Sequence, residues 1–295
     1  MPTISPAVLK QVKRLELRSR GFVTALFAGE YRSVFRGQGM EFAEVRAYEE
    51  GDDFRSIDWN VSARLGAPFV KTFTEERELT VLLVVDQSGS TRFGHPVTKA
   101  GLAVEVSAVL ALAAAAHNDR VGALLFSDTV ERIIPPAKGR RHALRVIRDL
   151  VAFSPRGRRT DLAAALSYAS RLLTHRSIVV VLSDFAAAGW ERPLRQLASR
   201  HEVVAVTVDD PRERDLPDAG WIELEDQELG QRILVDAGDP RVRARVALLA
   251  DRRRGDRARA LRAAGVDQVV LATDRDYAGP LHRAFALRAR RLARR

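Results

Sequence analysis

The run Leu79–Val85, LTVLLVV, constrains this chain more than any other stretch. Its residues are apolar or β-branched, with no polar alternation. A strand open to water on one face alternates. A strand without alternation fits the middle of a parallel sheet covered by helices on both faces. Ser177–Leu182 (SIVVVL) repeats the pattern, and Val121–Ser127 and Glu202–Val208 read as further strands. Helical patterns separate them, over Thr98–His117, His142–Phe153, Asp161–Thr174 and Trp190–Arg200. Such alternation predicts a doubly wound, mostly parallel α/β sheet. Functional groups then collect at the carboxyl ends of the strands, near the point where the strand order reverses.

The remaining elements arrange themselves around that sheet. Val130–Ile134 is a strand paired with Val121–Ser127, and Trp221–Leu224 with Arg232–Val235 forms an edge hairpin. Pro240–Ala264 is a long helix, Gln268–Leu271 a last strand and Tyr277–Arg290 a last helix. Upstream, Pro6–Arg20 is an amphipathic helix, and Gly29–Thr72 a small β-rich or irregular element. The expected organisation is an N-terminal helix and β-rich element over 1–77, an α/β domain over 78–238, and an Arg-rich α/β extension over 239–295 packed on that domain.

Composition removes several classes. With 46% hydrophobic residues the chain can bury a core, so it is not wholly disordered. With no cysteine it has no disulfide, no thiolate metal site and no cysteine nucleophile. The most apolar stretch, Gly101–Ala116, carries Glu105 and falls short of the roughly 18 residues that span a bilayer, so it reads as a buried helix. The first twenty residues lack the apolar region of a secretory signal. The expected location is cytoplasmic, with a peripheral position at the inner face of the membrane as an alternative.

The net charge of +10 is concentrated at one end: Asp239–Arg295 holds 16 Arg against 6 Asp and no Lys or Glu. Interleaving with Ala, Leu and Val at helical spacing makes this a solvated helix face, or a face attracted to anionic lipid. Specific nucleic-acid reading is not expected, because Arg241–Asp276 contains no aromatic residue to stack a base.

Immediately after LTVLLVV comes Asp86-Gln87-Ser88-Gly89-Ser90. One carboxylate and two hydroxyls at alternate positions thus lie on a loop at the carboxyl end of a buried strand. Thr160-Asp161 opens a helix after the Arg-rich loop SPRGRR, and Ser183-Asp184 ends SIVVVL. Together these are hard oxygen donors of low total charge, which suit Mg²⁺, or Mn²⁺, rather than zinc. An ion held mainly by hydroxyls and water stays electrophilic and attracts a carboxylate from a partner.

This constellation resembles the metal-ion-dependent adhesion site of von Willebrand factor type A domains. The resemblance assigns the D-x-S-x-S motif to Asp86, Ser88 and Ser90, the distal threonine to Thr160, and the late, largely water-mediated aspartate to Asp184. Phe185 follows where a glycine is common in that family, which predicts a locally different loop and weaker metal binding. Upstream, RAYEEGDDFRSIDWNVSAR (Arg46–Arg64) is similar to the signature of the bacterial domain-of-unknown-function family number 58, which places such an element before a type A domain. Its matching residues include Gly51, Asp52, Asp53, Arg55, Asp58 and Trp59. The resemblance implies a protein without assigned enzymatic activity that works with AAA+ ATPases of the MoxR class, or with their clients, in assembling or maturing protein complexes. Read from the residues alone, the segment is an ion-pair network anchored by Trp59 and Phe54. Alternatively it is a docking surface, or a second cation site built from Asp52 and Asp53. Asp58 pairs with Arg55 or with Arg64.

Other chemistries lack their parts. No G-x-S-x-G elbow, Walker A motif or G-x-G-x-x-G loop occurs. The six histidines are scattered, and only His95 lies near the candidate site in sequence. A Mg²⁺-dependent phosphate-ester hydrolase is the alternative to a binding module, and Ser88 in place of a second aspartate argues against it. The expectation is therefore a non-enzymatic interaction protein.

Overall fold

A computed structural model describes residues 6, 8, 10–17, 41–49, 51–74 and 79–293. The chain forms two compact units, Arg36–Glu78 and the remainder. The smaller holds strand β1 (Glu41–Ala47), helix α1 (Trp59–Leu65) and strand β2 (Phe69–Thr74), with β1 and β2 antiparallel. A 3-10 turn, Phe54–Ser56, precedes α1.

The larger unit begins its sheet with β3 (Thr80–Asp86), followed by α2 (Lys99–Ala116), β4 (Arg120–Phe126) and β5 (Val130–Ala137). Then come α3 (Arg140–Val151), α4 (Leu162–Leu172), β6 (Ile178–Ser183), α5 (Glu191–Arg200) and β7 (Glu202–Asp209). The hairpin β8 (Trp221–Glu225) and β9 (Arg232–Asp236) leads to α6 (Pro240–Ala263), β10 (Asp267–Ala272) and α7 (Ala278–Ala293).

Six strands form the central sheet in the order β10-β7-β6-β3-β4-β5. All pairs are parallel except β4 with β5. The strand order therefore reverses between β3 and β6, where a doubly wound sheet opens a crevice at its carboxyl edge. The unbroken apolar run of β3 has a direct packing reason. Val81, Leu83 and Val85 enter a core with α2, α3 and α7, while Leu82 and Val84 enter a second core with α4 and α5. Each alternate residue thus has its own apolar layer. Leu15, in the helical stretch 10–17, joins the first core, and neighbouring Glu16 pairs with Arg140. Residues 7, 9 and 18–20 of the expected N-terminal helix, and residues 29–40 of the expected β-rich element, lie outside the described residues.

Among the described residues one helix, α2, is long and apolar enough to cross a membrane, and 72% of its apolar window is buried inside the protein. It packs as the core helix its alanine-rich sequence suggests.

The Arg-rich helix α6 does more than carry charge. Arg257 is nearly buried and donates from both terminal nitrogens to the Asp209 carboxylate at 2.9 Å, with Nη1 also reaching the Asp184 carbonyl at 2.8 Å. Arg243 caps the carbonyls of Ala237 and Gly238. Part of the basic surplus is thus a clamp on the sheet's carboxyl edge.

Candidate metal centre

Strand β3 delivers Asp86 fully buried to the carboxyl edge. One carboxylate oxygen accepts from the Ser88 backbone at 2.9 Å, and the other accepts from Ser183 Oγ, at the end of β6, at 2.6 Å. The loop then turns into a 3-10 segment, Gly89–Arg92, pinned by Thr91 Oγ1 donating to the Ser88 carbonyl at 2.7 Å. This turn brings Ser88 Oγ and Ser90 Oγ to 3.1 Å of each other. The Ser88 hydroxyl also favours the charged form of the Asp86 carboxyl, and the Ser90 hydroxyl that of Asp184. Asp86, Ser88, Ser90 and Asp184 are thus gathered at one edge of the sheet.

Thr160 reaches the same edge by a different route. Asp161 donates its backbone N–H to the Ser127 carbonyl at 2.8 Å, just past the end of β4, and caps α4 through Ala164 N. The Arg158 carbonyl accepts from Gly89 N at 2.6 Å, tying the Arg-rich loop to the D-x-S-x-S turn. Glu131 accepts from the backbones of Arg156 and Gly157 and from Ser127 Oγ. Burial works against its charge, but these donors hold its carboxyl below the usual range. The Thr160 hydroxyl itself donates to Glu228 Oε1 at 2.6 Å.

Three participants escape the sequence motif. Lys99, the first residue of α2, is almost wholly buried, and its ammonium donates to Asp184 Oδ2 at 2.7 Å and Glu213 Oε1 at 2.6 Å. Ser183 was visible as the neighbour of Asp184 but not as a donor to Asp86. Glu228, at the tip of the β8–β9 hairpin, carried no signal. Lysine at a helix start has no periodicity to mark it, and contacts across 85 and 114 residues leave no local trace.

The electrostatics separate the two aspartates. Burial, and then the charge of Asp184, push the Asp86 carboxyl up to about 7. Burial also works to raise Asp184, but the Lys99 charge and hydrogen bond outweigh it and hold it low. Lys99 keeps its proton for the reciprocal reason: burial disfavours the ammonium, while Asp184 and Glu213 favour it more strongly. The protein's own cation thus serves Asp184, while Asp86 is a buried acid short of positive charge. That shortage, with Ser88, Ser90 and Asp184 around it, fits a hard divalent ion. Among the described residues no group of three or more His, Asp or Glu side chains is placed to hold a metal, so hydroxyls must supply much of any such site.

Phe185 clarifies the expected departure after Asp184. Its φ is 54°, a left-handed conformation that glycine adopts freely and other residues rarely do. The ring is buried, edge-on to Trp190 with centroids 5.1 Å apart. The backbone turn that suits glycine is kept, and aromatic packing holds it. His95 is exposed in the loop before α2.

The signature segment departs from its expected roles. Trp59 and Phe54 are not buried anchors, since each is 71% exposed, and Phe54 stacks on Tyr48. Asp52 and Asp53 do not face a common ion. Asp52 binds Arg46 through both oxygens, at 2.7 and 2.8 Å, whereas Asp53 accepts from Arg55 N and caps the 3-10 turn. Asp58 caps α1 by accepting from Asn60 N and Val61 N. The Arg55 side chain is exposed. Gly51 has φ 110°, which requires glycine at this corner. Glu50 lies outside the described residues.

Strand order and reversal point define a doubly wound, mostly parallel α/β fold, consistent with that of von Willebrand factor type A domains. The chain belongs to the family described as "Protein of unknown function DUF58", whose model matches residues 44–256. An uncharacterized protein of Mycobacterium tuberculosis (strain ATCC 25618 / H37Rv) is 36% identical over 289 residues, covering 97% of this chain and 91% of the relative. Among solved structures, a conserved hypothetical protein BatB from Bacteroides thetaiotaomicron is 16% identical with a TM-score of 0.48, over 72% of this chain and 99% of that one. An aerotolerance-related membrane protein from Bacteroides fragilis is 17% identical with a TM-score of 0.49, over the same shares.

Proposed function

We propose that this protein is a non-enzymatic interaction module that holds Mg²⁺, or Mn²⁺, at the carboxyl edge of its sheet and binds an acidic side chain of a partner protein there. Asp86, Ser88, Ser90 and Thr160 would hold the ion, with Asp184 behind them. When bound, the ion supplies a Lewis-acidic centre for a partner's carboxylate. The observation that carries this reading is Asp86, a fully buried carboxylate whose neighbouring cation is committed to Asp184. An acid in that position pays desolvation without an opposing charge, and a divalent ion would provide one.

The chain's residues prepare the edge for an acidic guest. Ser183 and the Ser88 backbone fix the Asp86 carboxylate, so its orientation costs little on ion binding. Arg92, Arg158 and Arg159 are exposed on the two loops of the edge and favour approach of negative charge. By resemblance, the partner is a MoxR-class AAA+ ATPase or its client, and the complex works in the cytoplasm, peripheral to the inner membrane face.

Titration calorimetry with MgCl₂ on the full chain tests the ion. Binding that vanishes in Asp86→Asn is expected, and no heat with either protein refutes the site. Binding of a MoxR-class ATPase that persists in EDTA refutes the carboxylate bridge.

A further inference from the structure

Resting on that cation reading, we propose that Glu228 is a carboxylate the chain supplies to its own site, making the β8–β9 hairpin a latch that an incoming acid must displace. Three observations converge on the hairpin tip. Glu228 accepts the Thr160 hydroxyl at 2.6 Å, the length of a charge-assisted bond. The neighbouring Gln227 carbonyl sits on Gly89 so closely that a Cβ there would lie 2.3 Å from its oxygen, so the tip is seated on the D-x-S-x-S turn itself. From Glu225 to Gly230, Glu228 alone is half-buried while its neighbours are exposed.

The tip is shaped for this presentation. Asp226 Oδ1 accepts from the backbones of Glu228 at 2.8 Å and Leu229 at 3.0 Å, and Gly230 N returns to the Asp226 carbonyl at 2.7 Å. These bonds close a tight turn and aim the Glu228 side chain at Thr160. Among the described residues no Lys, Arg or His lies within ion-pair distance of its carboxylate, so its charge is available to an ion.

The hairpin is also built to let go. β8 and β9 pair only with each other and stand outside the six-stranded sheet, so lifting the tip breaks no bond of the central ladder. A tethered acid at this distance competes at a high effective concentration. A partner's carboxylate therefore binds with its affinity reduced by the fraction of molecules whose latch is open.

The test uses the full chain, its Glu228→Ala variant and Glu228→Gln. Calorimetry reads Mg²⁺ binding, hydrogen exchange reads protection of the backbone at 226–230, and anisotropy of a fluorescein-labelled hexaglutamate peptide reads capture of an acid. In the wild type, Mg²⁺ should slow exchange at the tip. Both variants should bind Mg²⁺ more weakly, having lost one carboxylate, lose the Mg²⁺-dependent protection, and at saturating Mg²⁺ bind the peptide about tenfold more tightly than the wild type, but not in EDTA. Mg²⁺ binding with tip protection identical in wild type and variants overturns the latch and leaves the ion site standing. A peptide gain that survives EDTA is a bulk charge effect and also overturns it. Absence of Mg²⁺ binding to the wild type overturns both.

Discussion

The signature segment and the carboxyl edge of the sheet are both rich in acids, yet they use them in opposite ways. In the signature, Asp53 and Asp58 cap short helical turns and Asp52 neutralises Arg46, all at or near the surface. At the sheet edge Asp86 and Asp184 are buried, and one lysine serves only the second of them. Density of charge therefore does not make a site. A carboxylate becomes reactive toward an ion when folding removes its water and leaves its charge unmatched. The surface acids lose little water and need nothing further.

The largest expected effect falls at the sheet edge. Asp86→Asn should weaken Mg²⁺ binding at least about a hundredfold by calorimetry, because it removes the fully buried carboxylate of the D-x-S-x-S turn. The same variant should change the pH dependence of stability. The folded value of Asp86 lies near 7, above the ordinary 3.8, so the native state holds a proton that the unfolded state has released. Stability without metal should accordingly fall as pH rises from about 4 to about 7, by on the order of a few kcal/mol. Urea unfolding at pH 5 and pH 8 in EDTA should show that fall in the wild type and not in Asp86→Asn. A flat wild-type profile would erase the contrast between the two regions.

Next comes Lys99→Met. It strands buried Asp184, and leaves exposed Glu213, without their cation and should cost about 3–5 kcal/mol of unfolding free energy. Mg²⁺ should restore part of that loss, because the ion takes over the lysine's charge. A loss with no Mg²⁺ rescue would mean that an ion held at Asp86 does not reach Asp184.

Phe185 offers a finer measurement at the same edge. Phe185→Ala removes the buried ring but keeps a side chain at positive φ, and should cost about 3 kcal/mol or more. Phe185→Gly loses the same ring and relieves the backbone, so it should be about 1 kcal/mol more stable than the alanine variant. Equal stabilities in urea would show that the left-handed turn stores no strain. The smallest effect belongs to the signature: Asp58→Ala should lose about 1 kcal/mol, read as faster hydrogen exchange in α1.

Much of the fold was legible because burial on both faces writes itself into composition. LTVLLVV and SIVVVL must be apolar throughout, since each side chain enters one core or the other. Asp86, Ser88 and Ser90 were legible because a single loop holds them at alternate positions. The exposure of Trp59 was not, because an aromatic residue in a helix carries no mark of which surface it meets. The division of labour among Asp52, Asp53 and Asp58 was equally hidden, since capping and ion pairing use the same carboxylate.

The sequence alone determined the α/β class, the central strands and the oxygen motif that follows the first of them. These depend on residues close together in the chain, where periodicity and spacing act directly. Only the tertiary structure decided that Lys99 neutralises Asp184, that Ser183 orients Asp86, that Arg257 clamps the edge from α6, and that Glu228 returns to Thr160. Each joins side chains from separate elements, and their energies exist only after the sheet has brought those elements together and excluded the water between them.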